Sequence, residues 1–203
     1  MLQIQLHTIS KQYETEKIID QISLTFTQPE HVAIIGKNGS GKSTLLQIIA
    51  GFLTPTEGEI KYFDGTTEIP QTKIFHEIAY CAPYLELIEE LTLLEFFDYH
   101  FSFKKSKSKV AEIINIVGLD DAKRKQIHHF SSGMKQRVKL AQSFFADTSI
   151  LLLDEPTSNL DQEGIALYKL LLQNYGKERL VIIASNDTYE YETCNRIINL
   201  NHE

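Results

Sequence analysis

The chain lacks a basic surplus, a cysteine framework and any long apolar run, and each absence closes off a class of function. Its 203 residues carry 27 acidic against 20 basic side chains, for a formal net charge of −7. A protein that holds nucleic acid mainly by electrostatics carries a basic excess instead, so no nucleic-acid partner is expected. The two cysteines, Cys81 and Cys194, lie far apart in no metal-ligand spacing. They read as reduced thiols of a cytosolic domain. No apolar run approaches the ~18 residues that cross a bilayer. The opening Met1–His7 alternates like a strand and lacks the basic-then-apolar order of a signal peptide. If the chain works at a membrane, another chain must do the spanning. Internal repeats and low-complexity tracts are also missing.

What is present is ordinary for a globular protein: 42% hydrophobic and 23% charged residues, enough for one compact α/β domain over 1–203. Leu2-Ile4-Leu6 and Ile22-Leu24-Phe26 alternate with polar residues as half-buried strands do. Gly58 to Gly65 reads as a further strand ending in a turn, so the opening third is expected to be partly antiparallel. Val32-Ala33-Ile34-Ile35, Ile150-Leu151-Leu152-Leu153 and Leu180-Val181-Ile182-Ile183-Ala184 are continuous and rich in branched aliphatics, as strands buried on both faces are. Ile197, Ile198 and Leu200 suggest a last short strand. Helical patterns start near Lys42, at Thr92 (a capping box with Glu95), at Val110 with Gly118 as its stop, and at Glu163, closed by Gly176. Strands alternating with helices imply a mostly parallel sheet covered on both faces. The helices at about 91–146 read as an inserted subdomain. The lysine-rich stretch 103–109 reads as a solvated loop.

Gly36-Lys37-Asn38-Gly39-Ser40-Gly41-Lys42-Ser43 fits G-x-x-x-x-G-K-[ST] in full. A polyphosphate needs many donors close together. Glycines let successive backbone N–H groups turn inward, and the following helix offers its positive end. Gly36, Asn38, Gly39, Ser40, Gly41, Lys42, Ser43 and Thr44 are therefore candidate phosphate-binding residues. Lys42 can reach the outer phosphates, and the Ser43 hydroxyl can hold Mg²⁺. The match lies between a buried strand and a helix, which is the context the motif requires.

A second site follows the run Ile150–Leu153, which ends in Asp154 and Glu155. Carboxylates at the C-terminal end of a parallel strand lie where α/β sheets bind ligands. Asp154 would hold Mg²⁺, and Glu155 would polarise the water that attacks the γ-phosphate.

Phe130-Ser131-Ser132-Gly133-Met134-Lys135-Gln136-Arg137 resembles the L-S-G-G-Q signature of ABC ATPases, and Pro156-Thr157-Ser158-Asn159-Leu160-Asp161 is similar to that family's D-loop. P-loop, signature, acidic strand and D-loop stand in the family's order along nearly the whole chain. The resemblance implies a P-loop NTPase core with an N-terminal antiparallel β subdomain and an inserted α-helical subdomain. It also implies a head-to-tail dimer holding ATP and Mg²⁺ between subunits. ATP on Lys42 of one subunit would be closed over by Ser131 and Gly133 of the other, with Tyr13 stacked on the adenine.

Two residues of the family pattern are absent. A Gln is expected in the run Ile78-Ala79-Tyr80-Cys81-Ala82-Pro83, where Pro83 takes its place, and no Gln occurs between Thr72 and Lys125. A switch histidine is expected after Ser185, where Asn186 stands; the next histidine downstream is His202. Asn186 can donate a hydrogen bond to a γ-phosphate but cannot shuttle a proton. Normal MgATP binding with slow hydrolysis is the expectation. The implied setting is the cytoplasmic face of a membrane, reached through a permease subunit that carries the substrate specificity. Leu85, Leu87, Ile88, Phe96 and Phe97 are the candidate contacts for that partner. The ATPase dimer could be homo- or heterodimeric, and the alternative function is a slowly hydrolysing, ATP-gated regulatory module.

Overall fold

In the computed structural model, which describes residues 1–200, the buried aliphatic runs assemble into one sheet and the alternating ones into another. The first sheet is parallel and five-stranded, in the order β6-β7-β8-β3-β9. These strands are β6 (Ile78–Cys81), β7 (Ile150–Asp154), β8 (Leu180–Ala184), β3 (His31–Ile35) and β9 (Arg196–Asn199). The second is antiparallel, in the order β2-β1-β4-β5, from β1 (Leu2–Tyr13), β2 (Glu16–Thr27), β4 (Glu57–Asp64) and β5 (Thr67–Ile69). The expected α/β class, with its antiparallel N-terminal sheet, is what the chain adopts.

Period-two alternation divides the core between the two faces of the parallel sheet. Ala79, Cys81, Leu151, Leu153, Val181 and Ile183 point into a cluster covered by the helices of the second half. Ile78, Tyr80, Ile150, Leu152, Leu180 and Ile182 point the other way, onto α1 (Lys42–Ile49) and the antiparallel sheet. Both faces are dry, which is why these strands carry no polar alternation.

The helices follow their sequence signals. α2 (Leu93–Phe103) opens on a full capping box, in which the Glu95 N–H donates to Thr92 Oγ1 and the Thr92 N–H to the Glu95 carboxylate. α3 (Val110–Ile116) is followed by Gly118 at φ 69°. α4 (Ser132–Phe144), α5 (Gln162–Tyr175) and the short α6 (Thr188–Tyr191) complete the set. β1 is longer than its alternation suggests. Thr8 sits in the left-handed region at φ 47°, and the register slips between Leu6 and Ile9. The bulge breaks the period that sequence reading follows.

Two expectations about surfaces are corrected. Phe97 is fully buried, and Phe96 and Leu87 nearly so, because they form the inward stripe of α2 and its approach loop. Leu85 is half-buried, so only Ile88 of the five expected contacts is exposed. The loop 103–109 is mostly solvated, but Lys104 turns inward and its ammonium donates to the carbonyls of Phe75 and Ile78. His202 lies outside the described residues.

Candidate functional site

Because the five strands run parallel, their C-terminal ends share one edge of the sheet, and the P-loop, Asp154, Glu155 and Asn186 collect there. β3 feeds the glycine-rich loop, β7 ends at Asp154, β8 leads to Asn186, and β6 leads through Pro83 to Tyr84. Gly39 and Gly41 hold φ 85° and 91°, in the left-handed region that suits glycine. A Cβ on Gly41 would lie 3.0 Å from the Ile18 carbonyl oxygen, whereas one on Gly39 would meet nothing within 4 Å. The loop is therefore closed behind and open in front.

Lys42 is buried, and its ammonium donates to the carbonyls of Gly36 (2.7 Å) and Lys37 (3.2 Å), arched over the loop. The first turn of α1 has no capping side chain and no acidic residue. Its N–H groups and its positive end are thus left for an anion. The Ser40 hydroxyl is buried without a partner.

A pocket of about 350 Å³ joins Tyr13, Asn38, Gly39, Lys42, Ser43, Thr44 and Glu155. Tyr13 is 47% exposed at the rim, with the Lys11 ammonium 5.2 Å from its ring centroid. Glu155 adopts φ 42°, unusual for a residue with a side chain. Its N–H donates to the Ala184 carbonyl at 2.9 Å, which fixes the kink at the strand end. Asn186 reaches the tip of the loop, where its Nδ2 donates to Asn38 Oδ1 at 2.9 Å.

Behind the pocket, Asp154 is 2% exposed and neither carboxylate oxygen has a hydrogen-bond partner. Burial pushes its carboxyl above the usual aspartate range, while the Ser43 and Tyr84 hydroxyls pull it partly back. A dry, unpartnered carboxylate beside a serine hydroxyl is a donor set suited to a hard divalent cation. Mg²⁺ therefore fits these residues.

Ser131 and Gly133 are not brought to this pocket. They line a separate hollow of about 510 Å³ together with Arg137, Asn159 and Asp161. Ser131 is the N-cap of α4, its Oγ accepting from the Met134 N–H at 3.2 Å. A Cβ on Gly133 would stand 3.1 Å from the Asn159 carbonyl oxygen, so the helix start and the loop after β7 press together. Gln136, buried on α4, donates to the Pro156 carbonyl at 2.8 Å and ties that loop to the signature helix.

Sequence reading passed over two groups. Tyr84 directly follows Pro83, yet nothing in the sequence marks its hydroxyl as the partner of Gln47, one turn after Ser43, and of Tyr80. Glu190 reaches across from α6 to accept from the Thr157 N–H at 2.7 Å and from the Thr157 hydroxyl. That link joins the loops after β7 and β8, and nothing local announces it.

The family model described as "ABC transporter" matches residues 19–158. The uncharacterized ABC transporter ATP-binding protein YybJ of Bacillus subtilis is 31% identical, over 98% of this chain and 93% of its own length. The bacitracin transport ATP-binding protein BcrA of Bacillus licheniformis is 29% identical over 96% of this chain, which spans 65% of BcrA. Among solved structures, the ATP-binding cassette MJ0796, a dimer in a post-hydrolysis state bound to ADP and Pi, superposes with a TM-score of 0.82. It has 25% identity and covers 98% of this chain and 94% of that one. With its fold, motif order and these matches in agreement, the chain belongs to the ABC transporter family.

Proposed function

We propose that this chain is an ATP-binding and ATP-hydrolysing subunit that drives a separate membrane-spanning permease, working as a head-to-tail dimer. The observation that carries this reading is the division of the nucleotide-binding residues between two hollows. The loop, Lys42, Ser43 and Glu155 line one, while Ser131 and Gly133 line the other. Each chain is thus half of a site at either place, and a second ATPase subunit rotated head to tail would complete both. MJ0796, similar in fold, is described as a dimer with ADP and Pi.

In this reading the Gly39–Ser43 amides and Lys42 grip the triphosphate, and Tyr13 stacks on the base. Ser43 and Asp154 would hold Mg²⁺, which would supply positive charge against the phosphate tail. Glu155 accepts the proton of the attacking water. Asn186 must exchange Asn38 for a phosphate oxygen. Ser131 and Gly133 of the opposing subunit close on the γ-phosphate through an N-cap hydroxyl and helix N-terminal amides.

The permease contact is better supported by an aromatic hollow of about 160 Å³ that includes Phe52, Phe75, Tyr80 and His100 than by the five residues expected from sequence. Phe52 is 61% exposed and Phe75 51%, beside Tyr99 and Phe103 at 51% and 69%. None of the helices among the described residues is long and apolar enough to cross a membrane. A peripheral seat on the inner face, held by the partner, is the placement that follows.

The test is size-exclusion chromatography with and without MgATP, together with capture from membranes. An ATP-dependent dimer that copurifies with an integral membrane protein supports the transporter. A dimer that forms without any membrane chain supports the regulatory module, which Pro83 and Asn186 favour because both weaken hydrolysis. Failure to bind MgATP overturns both.

A further inference from the structure

We propose that Tyr84 is a positioning residue for the metal, presenting its phenol oxygen to the Mg²⁺ shell at the place where Pro83 leaves no polar side chain. The proposal rests on the reading of Ser43 and Asp154 as the metal-binding pair.

Tyr84 is 49% exposed, and its polar end is tied by side-chain hydrogen bonds. Its hydroxyl accepts from Gln47 Nε2 at 3.0 Å and shares a short hydrogen bond with the hydroxyl of Tyr80. Gln47 stands four residues after Ser43 on α1, so the two lie on one face of the helix, one turn apart. The Tyr84 oxygen is held against that face. Asp154 sits behind, with two buried, unpartnered oxygens. The Ser43 and Tyr84 hydroxyls both oppose the effect of burial on its carboxyl. An alcohol on Ser43 and a phenol held by Gln47 thus lie along one face of α1, with the buried carboxylate of Asp154 behind.

The donor and acceptor inventory agrees. A phenol has one hydrogen to give and can accept more than one. Gln47 donates to the Tyr84 oxygen, and either phenol of the Tyr80–Tyr84 pair can be the donor; when Tyr80 donates, Tyr84 keeps its own hydrogen for Asp154 or for a water of the cation. Proline has no backbone N–H and fixes its own φ, so Pro83 cannot make such a contact itself. It does stiffen the segment that delivers Tyr84. The burial of Tyr80, 8% exposed, anchors the pair from below.

Calorimetry of ATP binding with and without Mg²⁺ tests this, the ratio of the two affinities being the readout. Tyr84→Phe keeps the ring and removes one oxygen. The metal-free affinity should hold, while the gain on adding Mg²⁺ should fall about fivefold, the worth of one hydrogen bond. Gln47→Leu leaves the phenol in place but unties it, and should lower the gain by a smaller factor. Asp154→Asn should abolish it. A full Mg²⁺ gain in Tyr84→Phe alongside its loss in Asp154→Asn overturns the role of Tyr84 and leaves the metal pair standing. An equal loss of metal-free and metal-assisted affinity assigns Tyr84 to packing and also overturns it. No Mg²⁺ gain in the wild-type chain removes the metal pair, and this proposal with it.

Discussion

Replacing Asp154 by Asn should make the nucleotide-free protein more stable while disabling the proposed metal site. Asp154 is 2% exposed and neither of its oxygens has a partner. A buried polar group left unsatisfied costs about 1–3 kcal/mol, and a charged one more. Asn has nearly the same shape but no charge to desolvate, and its amide can rotate toward the Ser43 or Tyr84 hydroxyl. A net gain of about 1–2 kcal/mol follows. For a chain of this length each kcal/mol moves the melting temperature by roughly 2–4 °C, so a rise of about 2–8 °C is expected in metal-free buffer. Burial holds the Asp154 carboxyl above its ordinary value. The folded state therefore binds its proton more tightly than the unfolded chain does. Its contribution to stability is full below the ordinary aspartate value and is lost as pH rises through the raised one. The advantage of Asp154→Asn should accordingly open with rising pH and close in acid. Adding MgATP should reverse the order, because a ligand at 100 times its Kd stabilises the native state by about 2.7 kcal/mol and the variant binds it less well. The assay is calorimetric or fluorescence melting of both proteins in EDTA and in MgATP, across pH. A variant that melts several degrees below wild type in EDTA would refute the reasoning, since Asp154 would then be a satisfied structural group.

Glu155→Gln should lower steady-state ATP turnover by about 10²–10³-fold and leave an ATP-bound dimer on gel filtration. A variant that neither dimerises with ATP nor loses activity denies Glu155 its role. Asn186→His should raise turnover at least ~10-fold, by supplying a group that can carry charge and a proton. Unchanged turnover would mean that Asn186 is not what limits hydrolysis. Glu190→Gln probes the link between the loops after β7 and β8. Burial raises the Glu190 carboxyl above its ordinary value despite the Thr157 bonds. Its contribution to stability is thus complete below the ordinary glutamate value and falls away as pH rises through the raised one. Glutamine keeps an acceptor for Thr157, so chemical denaturation should find the two proteins equal in acid and the variant more stable at neutral pH. A constant difference across pH would contradict this.

What could be read from sequence was whatever is settled within a few neighbouring residues. The P-loop is one contiguous turn, the Thr92 and Glu95 pair is three residues wide, and the strand Ile150–Asp154 declares its double burial by composition alone. Long-range facts were not legible. Thr157 and Glu190 meet only because β7 and β8 are neighbours in the sheet. Phe96 and Phe97 form half of an aromatic helix, and the pattern alone could not say which side would face the core. The exposed aromatic surface came instead from Phe52 and Phe75, distant in sequence and lining one hollow with Tyr80 of β6.

The same logic explains why the incomplete motifs are compatible with an intact scaffold. Pro83 and Asn186 sit past the ends of β6 and β8, outside the hydrogen-bonded ladder. Changing them alters what projects into the site without touching the core. Glu155, by contrast, is locked into its left-handed backbone by the Ala184 carbonyl, and Gln136 holds the following loop through Pro156. Tyr80 occupies both territories, with its hydroxyl on Tyr84 and its ring edge-on to Phe52 at 5.4 Å, in the exposed aromatic hollow. The proposed metal corner and the aromatic surface thus share one side chain. A shift of Tyr84 on metal binding must therefore either move Tyr80 or break its hydrogen bond, and both results reach the surface where a partner would rest.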